Sequence, residues 1–279
     1  MPSEKPISPE LPLALVQSPS LIDACDQFEL APLASAQPEH ACLSALGEHQ
    51  DKRLGRYFED LVLAVAATLP THQLLCRNLA IRSPQRTLGE LDAIFYNRTK
   101  DQYEHWEITL KFYLGLHRDH WPGPDPEDTF HKRLRRLQMH QFPLDQTPAC
   151  IKTMAPKGIP RIDKRYLLSR GRLFYPSDVE LPSPTGAHPD HDRGTWWRVD
   201  QLPEDWQWQP LAKSQWLFPS AMSDKGTSRV ASPDMLDYVQ RSRSPVMVNA
   251  FSSPHANPTP GFVVPATWLS DAEHAYTNT

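Results

Sequence analysis

The sequence lacks the features of a membrane-spanning or exported chain. Its longest uninterrupted apolar run, residues 61–67, is far shorter than the roughly 20 residues that cross a bilayer as a helix. The first residues do not show the charged-then-apolar order of a secretory leader. The four cysteines (Cys25, Cys42, Cys76 and Cys150) have no C-x-x-C spacing, which argues against a zinc knuckle or a disulfide framework. These absences predict a cytoplasmic protein with no membrane partner.

The sequence also has no excess of positive charge. With 29 Lys and Arg against 33 Asp and Glu, the net charge of -4 excludes a uniformly basic nucleic-acid coat, although a local basic face stays compatible with it. A hydrophobic fraction of 39% and a charged fraction of 22% are typical of a globular protein. No phosphate-binding Walker loop, dinucleotide fingerprint or nucleophile elbow is present, so these sites are not predicted.

The distribution of proline divides the chain. There are 29 prolines, about twice the usual share, yet only Pro70 and Pro84 fall between residues 54 and 116. This interval is therefore the predicted centre of regular structure. We predict a partly ordered arm over residues 1–50, a core over 51–145, a β-rich extension packed on that core over 146–220, and a Ser/Pro-rich segment over 221–279.

Apolar spacing predicts the elements of the core. Three- and four-residue spacing predicts a helix that Pro70 closes, and alternating spacing predicts three strands after it. A further helix is predicted to begin at Asp125 and to continue through Leu137. The tryptophan-rich stretch beyond residue 162 is predicted to be core, with base stacking as the alternative. The first four elements are the helix at 54–69 and the strands at 74–81, 88–96 and 103–114.

Two carboxylates share one face of the predicted hairpin. Alternation places Asp92 of the second strand and Glu107 of the third on the same side of the sheet. If Tyr96 pairs with Tyr103, Asp92 lies directly opposite Glu107. Glu90 shares that face, either as a further ligand or as an ordinary edge-strand charge.

The facing carboxylates indicate a cation site. Two like charges opposed on a hairpin are destabilising, and a divalent cation offsets their repulsion directly. Oxygen ligands favour Mg²⁺ or Mn²⁺ over zinc. Two histidine pairs, His117/His120 and His188/His191, also have metal-like spacing, but they are predicted to be ordinary loop residues.

The order of these features resembles a known superfamily. A helix that carries Glu59 precedes the G-E-L-D strand of residues 89–92, and then come an E-x-x-x-K strand at 107–111 and a basic helix. This order resembles the PD-(D/E)XK superfamily, most of whose members are DNA or RNA nucleases. The residues at 54–60, then Arg77 and Asn78, and then the residues at 89–94 resemble its Holliday-junction-resolvase-like members. Over its whole length the sequence resembles domain-of-unknown-function family 1853.

The resemblance implies a fold and a set of roles. The fold is α/β, with a PD-(D/E)XK (restriction-endonuclease-like) core, a central mixed sheet flanked by helices and a mainly β C-terminal extension. Asp92, Glu107 and Glu59 match the family's metal-binding acids. The family's lysine is replaced by Thr109, so Lys111, two residues farther along the same face, is the candidate for orienting the attacking water, with ordinary ion pairing as its alternative.

The basic helix supplies the predicted nucleic-acid contacts. Its four cations, Lys132, Arg133, Arg135 and Arg136, have no acid among them and are predicted to bind phosphates. Lys132 or one of these arginines is the alternative to Lys111 for stabilising charge on the phosphate. We predict a nuclease that uses Mg²⁺ or Mn²⁺ to hydrolyse DNA or RNA. The alternative is a module that kept the fold, lost the chemistry, and binds nucleic acid or a protein.

Overall fold

A computed structural model describes residues 10–33, 53–219, 229–242 and 244–277. Within these residues the protein is a mixed α/β structure with six α-helices and a ten-stranded mixed sheet. The helices are α1 (Glu10–Gln17), α2 (Leu54–Ala66), α3 (Phe130–Arg136), α4 (Pro148–Met154), α5 (Ser232–Ser242) and α6 (Ala266–Thr277). None of the helices in the described ranges is long and apolar enough to cross a membrane.

The strands are β1 (Glu29–Leu30), β2 (His72–Arg82), β3 (Thr87–Asn97), β4 (Gln102–Leu114), β5 (Lys164–Pro176), β6 (Arg193–Arg198), β7 (Gln207–Pro210), β8 (Val230–Ala231), β9 (Val246–Phe251) and β10 (Thr259–Val264). Their order in the sheet is β2-β3-β4-β5-β6-β10-β9-β7-β8, and β1 pairs with β5. The predicted central mixed sheet is thus confirmed.

The chain forms two compact units. The first draws on Met1–Leu110, Arg133–Arg170 and His188–Asp190, and the second on Lys111–Lys132, Gly171–Ala187 and His191–Thr279. Both units combine segments that are distant in sequence. The predicted boundaries at residues 50, 145 and 220 stay a prediction.

In the first unit, helices cover both faces of the sheet. Strands β2, β3 and β4 are antiparallel neighbours, and β1 pairs in parallel with the Tyr166–Leu167 stretch of β5. One core, built on Phe95 and Trp106, packs against α1 and α2. Ile94 belongs to a second core with α4, and it lies on the opposite face because successive strand residues alternate. Side chains on either face of β3 and β4 are therefore buried.

Helix α2 follows the apolar spacing of its sequence. Phe58, Leu61, Val62 and Val65 are fully buried, and the helix ends at Ala66, shortly before Pro70. The predicted helix and the three predicted strands are confirmed, each with bounds within three residues of the expectation. The described part of the N-terminal segment also packs closely, since Val16 is fully buried.

The predicted start of the helix at Asp125 is wrong. Helix α3 begins at Phe130, and the residues before it form a turn in which the Asp128 amide donates to the Asp125 carbonyl. The Asp125 side chain accepts a hydrogen bond from the Glu127 amide, 3.1 Å away. A local bond of this kind competes with helical pairing, which accounts for the late start.

The second unit contains strands β6 to β10. Strand β10 is parallel to β6 and antiparallel to β9, which in turn pairs with β7. Trp197 and Trp208 are buried in its core against Met235 and Val239 of α5, as predicted for the tryptophan cluster. The segment predicted only as Ser/Pro-rich holds three strands and two helices in the residues described, more regular structure than its composition predicted.

Candidate functional site

The predicted hairpin register is confirmed. Tyr96 pairs with Tyr103, and the ladder continues to Ala93 opposite Trp106. At the next position Asp92 lies opposite Glu107. There the side chain of Asp92, instead of its backbone, accepts a hydrogen bond from β4. Its Oδ2 accepts a hydrogen bond from the amide of Ile108 at 2.8 Å. Asp92 is therefore held in place by the strand that carries Glu107.

Glu107 is buried among donors. Only 1% of the residue is exposed. Gln141 Nε2 donates to both of its carboxylate oxygens at 3.1 Å, and Arg133 Nη2 lies 3.1 Å from Oε1. His105, two residues earlier on the same face, has its Nε2 3.8 Å from Oε2. Glu107 is thus fixed in orientation and neutralised by one arginine.

Burial and charge make the two carboxylates hard to ionise together. Burial first, and then the charge of Glu107, raise the pKa of Asp92 well above its ordinary value, against the opposing effect of the Ile108 amide. Burial also raises the pKa of Glu107, against the opposing effects of Arg133 and Gln141. A pair in this state gains free energy from a proton or from a cation placed between its members.

Gln141 reaches Glu107 from an irregular helical turn. Helix α3 continues into a π-helical turn, Leu137–Gln141, and then into a 3₁₀ turn, Phe142–Gln146. Such turns occur frequently at functional sites. Gln141 was not a predicted site residue, because its position over Glu107 depends on this change of helical pitch.

Glu59 lies beside the pair but has its own partners. Its Oε2 is 3.0 Å from Arg56 Nη1, one turn earlier on α2. Burial raises its pKa, with Arg56 opposing, and its charge contributes to raising that of Asp92. Asn78 Nδ2 links Glu59 (3.5 Å) with Glu90 (3.0 Å). Glu59 is therefore electrostatically coupled to Asp92, and its role as a metal ligand stays a prediction.

Asn78 is a site residue that the predictions missed. It lies on β2 between the pairs Arg77–Ala93 and Leu79–Leu91, which puts it opposite Asp92. Its φ is 51°, in the left-handed region that asparagine tolerates better than most residues. An asparagine inside an otherwise alternating strand is the signal that sequence inspection offered for this position.

We expect Asn78→Ala to be less stable than Asn78→Gly by about 1 kcal/mol, because alanine meets the steric cost of positive φ and glycine does not. Both variants lose the amide bridge between Glu59 and Glu90. Urea denaturation of the two variants beside the wild type measures the difference. Equal stability of the two variants would show that backbone conformation is not what selects asparagine here.

The predicted cations separate into different contacts. Lys111 Nζ is 2.5 Å from Asp128 Oδ2, and Lys132 Nζ is 3.3 Å from Glu127 Oε2. Arg133 instead pairs with Glu107. The remaining arginines of the helix, Arg135 and Arg136, are exposed. Lys111 therefore makes an ordinary ion pair, the alternative to a catalytic role, but its partner is Asp128 instead of the expected Glu90 or Glu107.

The histidines with metal-like spacing have protein partners. His117 Nε2 is 3.0 Å from Glu273 Oε1, and His120 Nε2 is 2.8 Å from the Ala272 carbonyl. His191 Nε2 lies 2.8 Å from the Tyr175 hydroxyl. His120 and His191 are buried, and the prediction that the two pairs are ordinary loop residues rather than metal ligands stays a prediction.

The donor set fits a hard cation held by two carboxylates. Among the described residues, no group of three or more His, Cys, Asp or Glu side chains could hold a metal ion. Mg²⁺ commonly binds proteins through one or two carboxylates and completes its shell with water and substrate phosphates. The pair of Asp92 and Glu107 meets that requirement, whereas zinc prefers nitrogen and sulfur ligands in a closed set.

The family is settled by a comparison over most of the chain. The model of the family described as "Domain of unknown function (DUF1853)" matches residues 7–263. The chain belongs to the DUF1853 family. No curated protein and no solved structure matches the chain. In this DUF1853 member the match covers the carboxylate pair, both of its donors and the cations of α3.

Proposed function

We propose that this DUF1853 protein is a metal-dependent nuclease that hydrolyses phosphodiester bonds of DNA or RNA. The observation that carries the proposal is the buried pair of Asp92 and Glu107 on neighbouring strands, where burial first, and then the charge of Glu107, raise the pKa of Asp92. Two ionised carboxylates carry two negative charges. A divalent cation neutralises both of them, whereas a single proton neutralises one.

In the proposed site Asp92 and Glu107 hold Mg²⁺ or Mn²⁺, and Glu59 acts from behind them. When bound, the ion supplies Lewis acidity and lowers the pKa of a coordinated water. Asp92 is oriented by the Ile108 amide and Glu107 by Gln141, so neither carboxylate has to be ordered when the ion arrives. Preorganisation of this kind is what makes electrostatic catalysis effective.

The order of elements supports a nuclease core of the PD-(D/E)XK type. Helix α2 carries Glu59, and the antiparallel strands β2, β3 and β4 follow it. Asp92 and Glu107 lie on β3 and β4, with α3 after them. The proposal includes Arg133 as the cation in place of the family's lysine, because its guanidinium contacts Glu107. Arg135, Arg136 and Lys132 are the proposed phosphate contacts along the helix.

A second candidate is a nuclease-fold module that binds nucleic acid or a protein without cleaving it. The ion pairs of the two lysines favour it, since Lys111 pairs with Asp128 and Lys132 with Glu127. Under this alternative, Arg133 neutralises Glu107 permanently and no metal is needed.

Incubation of the purified protein with linear, branched and single-stranded DNA and with RNA distinguishes the two candidates. We expect cleavage of at least one substrate in Mg²⁺ or Mn²⁺, complete loss of cleavage in EDTA, and recovery when the metal is restored. Gel electrophoresis of end-labelled substrates reports the products. Binding without cleavage of any substrate, at every metal concentration, would contradict the nuclease and favour the binding module.

A further inference from the structure

The contact between Glu107 and Arg133 leaves a donor unused. Arg133 Nη2 lies 3.1 Å from Glu107 Oε1, and the side chain of Arg133 is 15% exposed. Its Nε is buried and has no hydrogen-bond partner in the part of the chain that the structure describes. A guanidinium offers five donors in a fixed fork, and a buried donor without an acceptor is unfavourable. Arg133 therefore has unused capacity for an anion.

In the free protein Arg133 neutralises Glu107. The pair of Asp92 and Glu107 needs a nearby positive charge, and Arg133 supplies one to Glu107. A divalent cation bound to the same carboxylates would bring two positive charges close to this guanidinium and repel it. Glu107 would keep its orientation, because Gln141 donates to both of its oxygens independently of Arg133.

We propose that Arg133 is an exchangeable counter-ion: it neutralises Glu107 in the free protein and turns to a backbone phosphate of nucleic acid when Glu107 binds a divalent cation. A phosphate is the acceptor that a guanidinium fork matches best. Metal and nucleic acid then bind cooperatively. The metal occupies Glu107 and frees Arg133 for the phosphate, and the phosphate binds Arg133 and frees Glu107 for the metal, so the coupling is reciprocal. The inference rests on the proposed metal site and adds its regulation by the substrate.

The affinity for Mn²⁺, measured by electron paramagnetic resonance, tests the exchange without any cleavage. A 20-base-pair DNA duplex and a single-stranded RNA serve as probes at 4 °C, with electrophoresis to verify that they stay intact. In wild type we expect each probe that binds to increase the affinity for Mn²⁺ by at least about tenfold. By reciprocity, Mn²⁺ increases the affinity for that probe by the same factor. Wild-type Mn²⁺ affinity that is unchanged by both probes overturns the proposal without the use of a variant.

Arg133→Gln isolates the counter-ion. Without nucleic acid it is expected to bind Mn²⁺ at least about tenfold more tightly than wild type, because a competing positive charge is gone. Addition of nucleic acid is expected to increase the Mn²⁺ affinity of this variant by less than about twofold. Lys152→Gln, which removes an exposed cation of α4 outside the proposed site, should leave metal-only affinity at the wild-type value.

The outcomes separate this inference from the proposed nuclease. A wild-type protein that cleaves DNA or RNA, with Arg133→Gln binding Mn²⁺ no more tightly than wild type, overturns the exchange and leaves the nuclease intact. A wild-type protein that cleaves nothing but shows the coupling and the gain in Arg133→Gln supports the exchange in a binding module. Absence of Mn²⁺ binding in every condition overturns both.

Discussion

Asp92→Asn is expected to abolish Mg²⁺-dependent cleavage and to leave the metal-free protein at least as stable as wild type. The amide oxygen of asparagine can still accept the hydrogen bond from Ile108, which is 2.8 Å long in the wild type. The charge that binds a cation is lost, so cleavage should fall by at least about a thousandfold. The burial of a charged carboxylate and its repulsion by Glu107, which raise the pKa of Asp92 in that order of size, both disappear, and this favours the folded state.

Thermal denaturation with and without Mg²⁺ measures the second half of this prediction. Wild type should gain stability from Mg²⁺ through ligand linkage, and Asp92→Asn should gain none. Asp163→Asn is the matched control, because Asp163 Oδ2 also accepts from a β4 amide, that of Tyr103, at 2.9 Å. The control should cleave and respond to Mg²⁺ like wild type. Cleavage by Asp92→Asn at the wild-type rate would remove the nuclease assignment.

Local sequence pattern was sufficient for the hairpin and its carboxylates. Strand alternation depends only on neighbouring residues, and the polar turn of residues 97–102 left one natural register for β3 against β4. That register was observed, with Tyr96 opposite Tyr103. This register alone places Asp92 opposite Glu107, so their juxtaposition depends only on local sequence.

The partners of these carboxylates could not be obtained in the same way. Arg133 and Gln141 reach Glu107 from 26 and 34 residues away in the sequence, and the contact of Gln141 depends on the π-helical turn. The four cations of the basic helix were equivalent in the sequence. Tertiary structure assigns Arg133 to Glu107 and Lys132 to Glu127. Selection among equivalent side chains is a tertiary effect.

Burial of polar side chains was a second property that alternation did not give. The face of β4 that carries Glu107 is covered, so His105 and Glu107 are buried, as are the residues of the opposite, apolar face. Glu104 is fully buried on that apolar face, where it accepts from Asn97, Trp106 and the ring of His72. Period-two patterns indicate which side chains share a face, but not whether another layer covers it.

The signals for α5 were present but were outweighed by composition. Ser232 and Pro233 begin the helix and Asp234 follows in its first turn, an order typical of helix starts. Met235 and Val239, four residues apart, are both fully buried. A high content of serine and proline in a segment therefore did not exclude helix within it.

His105→Phe is expected to make the folded protein much less sensitive to acid. The imidazole is fully buried, its nitrogens have no hydrogen-bond partner within the described ranges, and burial together with the charge of Arg165 lowers its pKa from 6.5 to about 3. Above pH 6.5 the ring is neutral in both the folded and the unfolded chain. Below it, only the unfolded chain takes up the proton, so wild-type stability decreases as the pH falls toward 3. Phenylalanine removes this proton and keeps the aromatic contact with Phe142.

The carboxylate pair acts in the opposite direction. The pKa of Asp92 and that of Glu107 are raised in the folded chain, so their protonation favours folding as the pH falls. Wild type and His105→Phe share this contribution. The difference between their unfolding free energies therefore isolates the contribution of the histidine. Urea denaturation from pH 7.5 to 4.5 should show the variant gaining on wild type by up to about 1.4 kcal/mol per pH unit below 6.5. A constant difference between His105→Phe and wild type across this range would mean that the folded protein protonates His105 as readily as the unfolded chain does.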